Sequence, residues 1–264
     1  MDEIKKISND ELKEIAAVHG FGPDITLKDY YITALLFLIR DVKGIYFKGG
    51  TALQKIFLDH SRLSEDIDLT VARDISEVIE EIIGIVAASK LFGKVTKDKD
   101  VEGFTRLVVH YKGFDGEDGV VFIDLNRRAK LLLKPEKHKI SHFYGDFIPE
   151  FSVSTLSKEE MIAEKVAAAI GRNMPRDHFD IYRIIRAKLP INMELVRKKC
   201  SDANIEFNVI KMFDKANKLK TRWDEALIPL LAEEASFKET MTTLAKYFNL
   251  KEEKNRRKNK LNPV

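Results

Sequence analysis

The chain has 264 residues, of which 44% are apolar and 33% charged, with a formal charge of only +3. That length and balance fit a globular protein with a substantial core and exclude a low-complexity or collagen-like chain. Its one cysteine, Cys200, excludes an internal disulfide, and its longest apolar run, Tyr30 to Ile39, is too short to span a bilayer.

Taken in order, Asp10 to Val18 reads as a short amphipathic helix, closed by a turn at His19 to Pro23. Thr26 is placed to cap a mostly buried helix reaching about Arg40. A brief strand, Ile45 to Phe47, runs into Gly49-Gly50 and a helix from Thr51 to about Leu58. Asp66 to Val71 alternates as a strand. Asp74 or Ser76 then opens a helix whose apolar face carries Val78, Ile79, Ile82, Ile83 and Val86. Two further strands, Phe104 to Tyr111 and Val120 to Leu125, flank a glycine-rich hairpin turn at Gly113 to Gly119. Asn126 to Glu150 reads as a basic, irregular connection. Beyond Phe151 the pattern is helical: Lys158 to Arg172, Arg176 to Ala187, Met193 to Lys199, Glu206 to Leu219, Trp223 to Ala232 and Phe237 to Phe248. The expectation is an α+β protein: a mixed α/β domain over 1–150, a helical domain over 151–250 and a basic tail over 251–264. From Lys251 to Lys260 that tail holds six basic and two acidic residues, which suits either a solvated end or non-specific phosphate binding.

The chemistry concentrates between Tyr46 and Leu69. A strand entering a glycine pair that opens a helix presents backbone N–H groups to a phosphate. On the strand that follows, Asp66 and Asp68 share one face while Ile67 and Leu69 share the other. Paired carboxylates supply the hard oxygen donors that Mg²⁺ prefers. Two ions about 3.5–4 Å apart suit phosphoryl transfer, with Mn²⁺ as the alternative metal. Asp124, among apolar strand residues, offers a third carboxylate for metal, or a partner for Arg106, Arg127 or Arg128. The sequence lacks both the P-loop and the dinucleotide fingerprint.

Lys48-Gly49-Gly50-Thr51-Ala52-Leu53 followed by Arg62-Leu63-Ser64-Glu65-Asp66-Ile67-Asp68-Leu69 resembles the AbiEii/AbiGii-type nucleotidyltransferases, toxins of toxin–antitoxin and abortive-infection systems within the DNA-polymerase-β-like superfamily. Leu156 to Lys165 and Pro175 to Tyr182 resemble the family's third and fourth motifs, and the likeness spans roughly Lys28 to Arg186. The resemblance implies that Lys48, Gly49, Gly50, Thr51, Arg62 and Ser64 bind an NTP. It makes Asp66 and Asp68, with Asp124, the metal ligands. Lys165 would contact the triphosphate, Asp180 would be the essential acid of the fourth motif, and Asp177 is its close competitor. It further implies transfer of NMP to an acceptor, tRNA or another RNA, and a cognate antitoxin.

Helical spacing alone reads the later motifs more plainly. Lys165, Ala168, Ala169 and Arg172 share a face that either admits a phosphate or is simply a solvated stripe. Arg176 and Asp180, four apart, would form an exposed ion pair. The competing functional readings are a non-catalytic NTP- or RNA-binding module and a nucleotidyltransferase acting on protein or a small molecule. None of the six histidines shows zinc-ligand spacing, though His178 lies within the fourth motif. Met1 to Lys6 lacks the basic-then-apolar order of a secretory leader, so a cytoplasmic protein without membrane contact is expected.

Overall fold

The computed structural model describes residues 4–128 and 130–261, with side chains to Arg257. The chain divides into two compact units, Met1–Lys158 and Glu159–Val264. Among the described residues no helix is long and apolar enough to cross a membrane.

The first unit is built on a seven-stranded mixed sheet. Its strands are β1 (Ile45–Lys48), β2 (Asp66–Val71), β3 (Val95–Val101), β4 (Phe104–Lys112), β5 (Asp118–Asn126), β6 (Glu136–Lys139) and β7 (Ser152–Thr155). They lie in the order β3-β4-β5-β2-β1-β7-β6. β2 is central, antiparallel to β1 and parallel to β5, so residues on three adjacent strands meet at one level of the sheet.

Four helices accompany the sheet: α1 (Asn9–His19), α2 (Pro23–Leu38), α3 (Gly49–Ile56) and α4 (Ile75–Ala87). α1 starts on a Ser8–Glu11 capping box and stops at left-handed Gly20. α2 is buried on all sides, with Tyr30, Ile32, Ala34 and Leu35 wholly enclosed. It begins earlier than expected, because Pro23 suits a first helical turn. Thr26 therefore lies inside the helix, where its hydroxyl donates to the Gly22 carbonyl instead of capping. α4 opens on Asp74, whose carboxylate accepts from Ser76 and Glu77 N–H.

Three strands were not expected. β3 is charged and mostly exposed, which suits the sheet edge but hides its alternation. β6 and β7 are four residues each, and they fall in or beside the stretch expected to be irregular. That stretch is instead anchored: Ile140, Tyr144 and Ile148 are buried.

The second unit is helical: α5 (Lys158–Arg172, which starts at the boundary), α6 (Pro175–Arg186), α7 (Met193–Asp202), α8 (Ala216–Thr221), α9 (Trp223–Leu227), α10 (Phe237–Tyr247) and α11 (Leu250–Leu261). The helix expected over Glu206 to Leu219 is instead a 3-10 turn, Val209–Met212, followed by α8. Asn208 explains the break, since its side chain accepts from Ile210 N–H and starts a new turn. Phe179, Trp223 and Leu227 form a core cluster against which Tyr182 and Phe237 pack. The basic terminal stretch continues as helix α11 to Leu261; residues 262–264 lie outside the described residues.

Candidate active site

The strand-to-helix turn is governed by what stands against its glycines. Lys48 leaves β1 in extended conformation, and Gly49 turns left-handed at φ +79° to begin α3. A Cβ on Gly49 would fall 2.0 Å from Asp68 Oδ2. A Cβ on Gly50 would fall 2.6 Å from Arg62 Nη2 and 3.5 Å from Ser64 Oγ. Bare backbone is therefore required at Gly49, where a carboxylate stands on the glycine, while a side chain at Gly50 would have to displace the end of the buried Arg62 guanidinium. The sheet register explains the first approach, because Lys48 is paired with Asp68 across β1 and β2.

On β2, Ile67 and Leu69 are buried while Asp66 and Asp68 are the two half-buried positions, so both acids lie on the open face. In the parallel register with β5, Asp68 is opposite Asp124. Asp124 is opposite Arg106 on β4, and Arg106 donates from Nε and Nη2 to its two oxygens at 2.7 and 2.8 Å. Of the three arginines that the sequence offers Asp124, the cross-strand one takes it; Arg128 donates to the Glu102 carbonyl. Burial raises the Asp66 carboxyl above the usual range; Lys28 and Arg106 pull it down, and Asp124 and Glu65 push it further up.

Asp66 and Asp68 thus give two hard oxygen donors on one face, a set that fits a Mg²⁺ completing its shell with phosphate and water. Asp124 has both oxygens on Arg106, so holding a cation would require opening that fork. Among the described residues no group of three or more His, Cys, Asp or Glu side chains is disposed to hold a metal.

The turn is fastened by Thr51 and by residues that sequence pattern did not single out, Gln54, Lys55, Asp29 and Tyr144. Thr51, which the resemblance assigns to the triphosphate, is buried and donates its hydroxyl to the Asp66 carbonyl, tying α3 to β2. Gln54 Oε1 accepts from Ser61 Oγ and Arg62 N–H, which steadies the loop carrying Arg62. Lys55 is 1% exposed and donates to Asp29 and Thr33, both on α2, at 2.9 Å. Tyr144 completes this network by donating to the Thr26 carbonyl and to Asp29. A buried lysine carries no signal in a lone sequence beyond its place one turn past Thr51.

In the second unit, Lys165 of α5 meets Asp177 Oδ1 at 3.0 Å and Asp180 Oδ2 at 2.9 Å, both on α6. Arg172 donates from Nε and Nη2 to Asp177 at 2.7 and 2.8 Å. Burial pushes the Asp177 carboxyl up, but Lys165 and Arg172 overcome it and hold the group well below the usual carboxylate range. The side chains of Lys165, Asp177 and Asp180 are 6%, 1% and 0% exposed. The expectation of an exposed Arg176–Asp180 pair therefore fails, as does that of a solvated Lys165 stripe, since Ala169 is buried too. His178 is also buried, with its ring nitrogens 2.9 and 2.8 Å from the carbonyls of Met174 and Met212, which is a structural role. Cys200 is a buried thiol.

Residues 38–246 match the family described as Nucleotidyl transferase AbiEii toxin, Type IV TA system. The chain belongs to the AbiEii family. Among solved structures, this AbiEii-family chain is similar to MenT4, nucleotidyltransferase toxin Rv2826c from Mycobacterium tuberculosis H37Rv, at 20% identity and a TM-score of 0.68. That match covers 92% of this chain and 89% of MenT4. It is also similar to JHP933 from Helicobacter pylori, at 19% identity and TM-score 0.59, over 91% of this chain and 99% of that one. A putative nucleotidyltransferase from H. pylori matches at 18% identity and TM-score 0.58, over 87% and 95% of the two chains. No curated protein matches. The family is one of nucleotidyltransferase toxins, and these likenesses share its α+β fold.

Proposed function

We propose that this AbiEii-family nucleotidyltransferase moves a nucleotide from an NTP to the 3′ end of an RNA, with tRNA as the acceptor. The observation that carries this reading is the Asp68 carboxylate standing on Gly49 at the mouth of α3, with Asp66 beside it on the same face. A glycine turn offers N–H donors to phosphate oxygens at the place where acidic ligands for the accompanying cation are already fixed.

In the reaction, an acceptor hydroxyl oxygen bonds to the α-phosphorus and the bond to the β-phosphate bridging oxygen breaks. Pyrophosphate leaves and the hydroxyl proton is lost to solvent. Mg²⁺ held by Asp66 and Asp68, with Asp124 as the third candidate, would supply positive charge against the phosphates and favour the ionised hydroxyl. The Gly49 and Gly50 backbone, flanked by Lys48, Arg62 and Ser64, holds the triphosphate, and Thr51 keeps α3 seated on β2 while it does so. Lys165, oriented by Asp177 and Asp180, takes up charge on the departing pyrophosphate, and Asp180 is the acid of the fourth motif that cannot be spared. Membership of a type IV toxin–antitoxin family implies a cognate antitoxin.

The test is transfer of label from α-labelled NTP, each of the four in turn, to total tRNA with Mg²⁺. Wild type labels tRNA and Asp68→Ala does not. Equal labelling by Asp68→Ala would overturn the metal assignment. Label on protein or a small molecule would overturn the acceptor and leave the chemistry standing.

A further inference from the structure

Outside the motifs, the second unit holds a cavity of about 360 Å³ with Arg172, Lys215, Lys218 and Arg222 in its wall and no carboxylate among its lining residues. Leu219 and Pro175, both buried, give it an apolar floor. Lys215, Lys218 and Arg222 follow one another at spacings of three and four, so α8 and its two flanking residues turn them toward the same opening.

Several other cations of this unit have acid partners: Lys199 meets Glu160 and Glu164, Lys211 and Arg257 meet Glu206, and Arg256 meets Glu253. Lys215, Lys218 and Arg222 make no ion pair among the described residues. A solvated lysine stripe spreads its charges over an open surface. Here Lys215, Lys218 and Arg222, all exposed, line one concavity together with Arg172, and like charges gathered in a cleft favour an anion there. Arg172 has two sides: its guanidinium grips buried Asp177, yet its side chain is 63% exposed and lines the same cavity.

We infer that this cavity is a phosphodiester-binding site that holds the backbone of the acceptor RNA. Several cations spaced over about two helical turns suit successive phosphates better than one anion, and the volume exceeds what a single phosphate needs. The inference rests on the RNA-acceptor reading above and adds where that RNA is gripped. Arg172 then links RNA occupancy to the Lys165–Asp177–Asp180 cluster.

The experiment is fluorescence anisotropy of labelled total tRNA on the full chain, without NTP, across a potassium chloride series. The Lys215→Gln/Lys218→Gln/Arg222→Gln variant should bind tRNA at least about tenfold more weakly, with a log–log salt slope shallower by roughly 2–3. Mg-ATP binding by that variant should be unchanged, which also reports that it is folded, and Lys215→Arg/Lys218→Arg should bind tRNA like wild type. Wild-type tRNA affinity and slope in the Gln variant would overturn the site while leaving the RNA acceptor intact. Loss of Mg-ATP binding in parallel with tRNA, in a variant whose urea unfolding midpoint matches wild type, would overturn it in favour of a triphosphate pocket. Failure of wild type to hold tRNA would bring down the acceptor reading and this site together.

Discussion

At Gly49 two independent constraints coincide, a left-handed backbone and an occupied Cβ position. Gly49→Ala therefore has to pay about 1–2 kcal/mol for the left-handed alanine and must also push Asp68 aside. Because a displacement near 1 Å at a reacting centre can cost on the order of 100-fold, the expected result is a transfer rate down by at least that factor. The accompanying fall in unfolding free energy is modest, and urea titration beside initial-rate measurement separates the two effects. Asp177 makes a different residue-scale prediction. Lys165 and Arg172 hold its carboxyl far below the unfolded value of about 3.9. Its stabilising contribution is complete above that value and is lost as the pH falls below it toward the depressed folded one. Asp177→Asn should therefore be less stable than wild type at neutral pH, with a gap that narrows below about pH 4. Urea midpoints between neutrality and pH 3 check this, and a gap constant with pH would contradict it.

Between elements, the contact that seats the glycine helix is the Lys55–Asp29 pair of α3 and α2. Lys55→Met leaves Asp29 charged in a dry interior and should cost about 3–5 kcal/mol. Adding Asp29→Leu should recover much of that, as denaturant unfolding of the single and double variants would reveal. At this scale one can also see what the sequence makes legible. β2 and its acids are readable because an alternating strand beside a glycine pair has few other meanings, and the resemblance to known toxins rests on the same residues. Asp124's partner is readable only as a choice among three arginines, since register settles it and register is a property of the pairing. β3 and β6 are hidden because edge strands carry charge on exposed positions, which in a lone sequence looks like loop. The burial of Lys55, Lys165 and Asp180 is hidden for the opposite reason: their composition argues for solvent, and only the assembled partners make the interior tolerable.

In the molecule as a whole, the proposed chemistry draws on residues of two compact units, the glycine turn and its acids in Met1–Lys158 and the lysine–aspartate cluster in Glu159–Val264. If both serve one transition state, their losses should not add. Asp68→Ala and Lys165→Met should each abolish most transfer, and the double variant should be hardly slower than the worse single one. Multiplying losses in initial-rate assays would instead mean that the two sets act in separate steps.

The crowding at Gly49 has a genetic corollary. Every missense change in a glycine codon installs a β-carbon, and at codon 49 there is no space for one. When cells are challenged by overproducing this toxin, survivors that still accumulate the full-length polypeptide should be enriched for replacements at that codon, whatever the incoming amino acid.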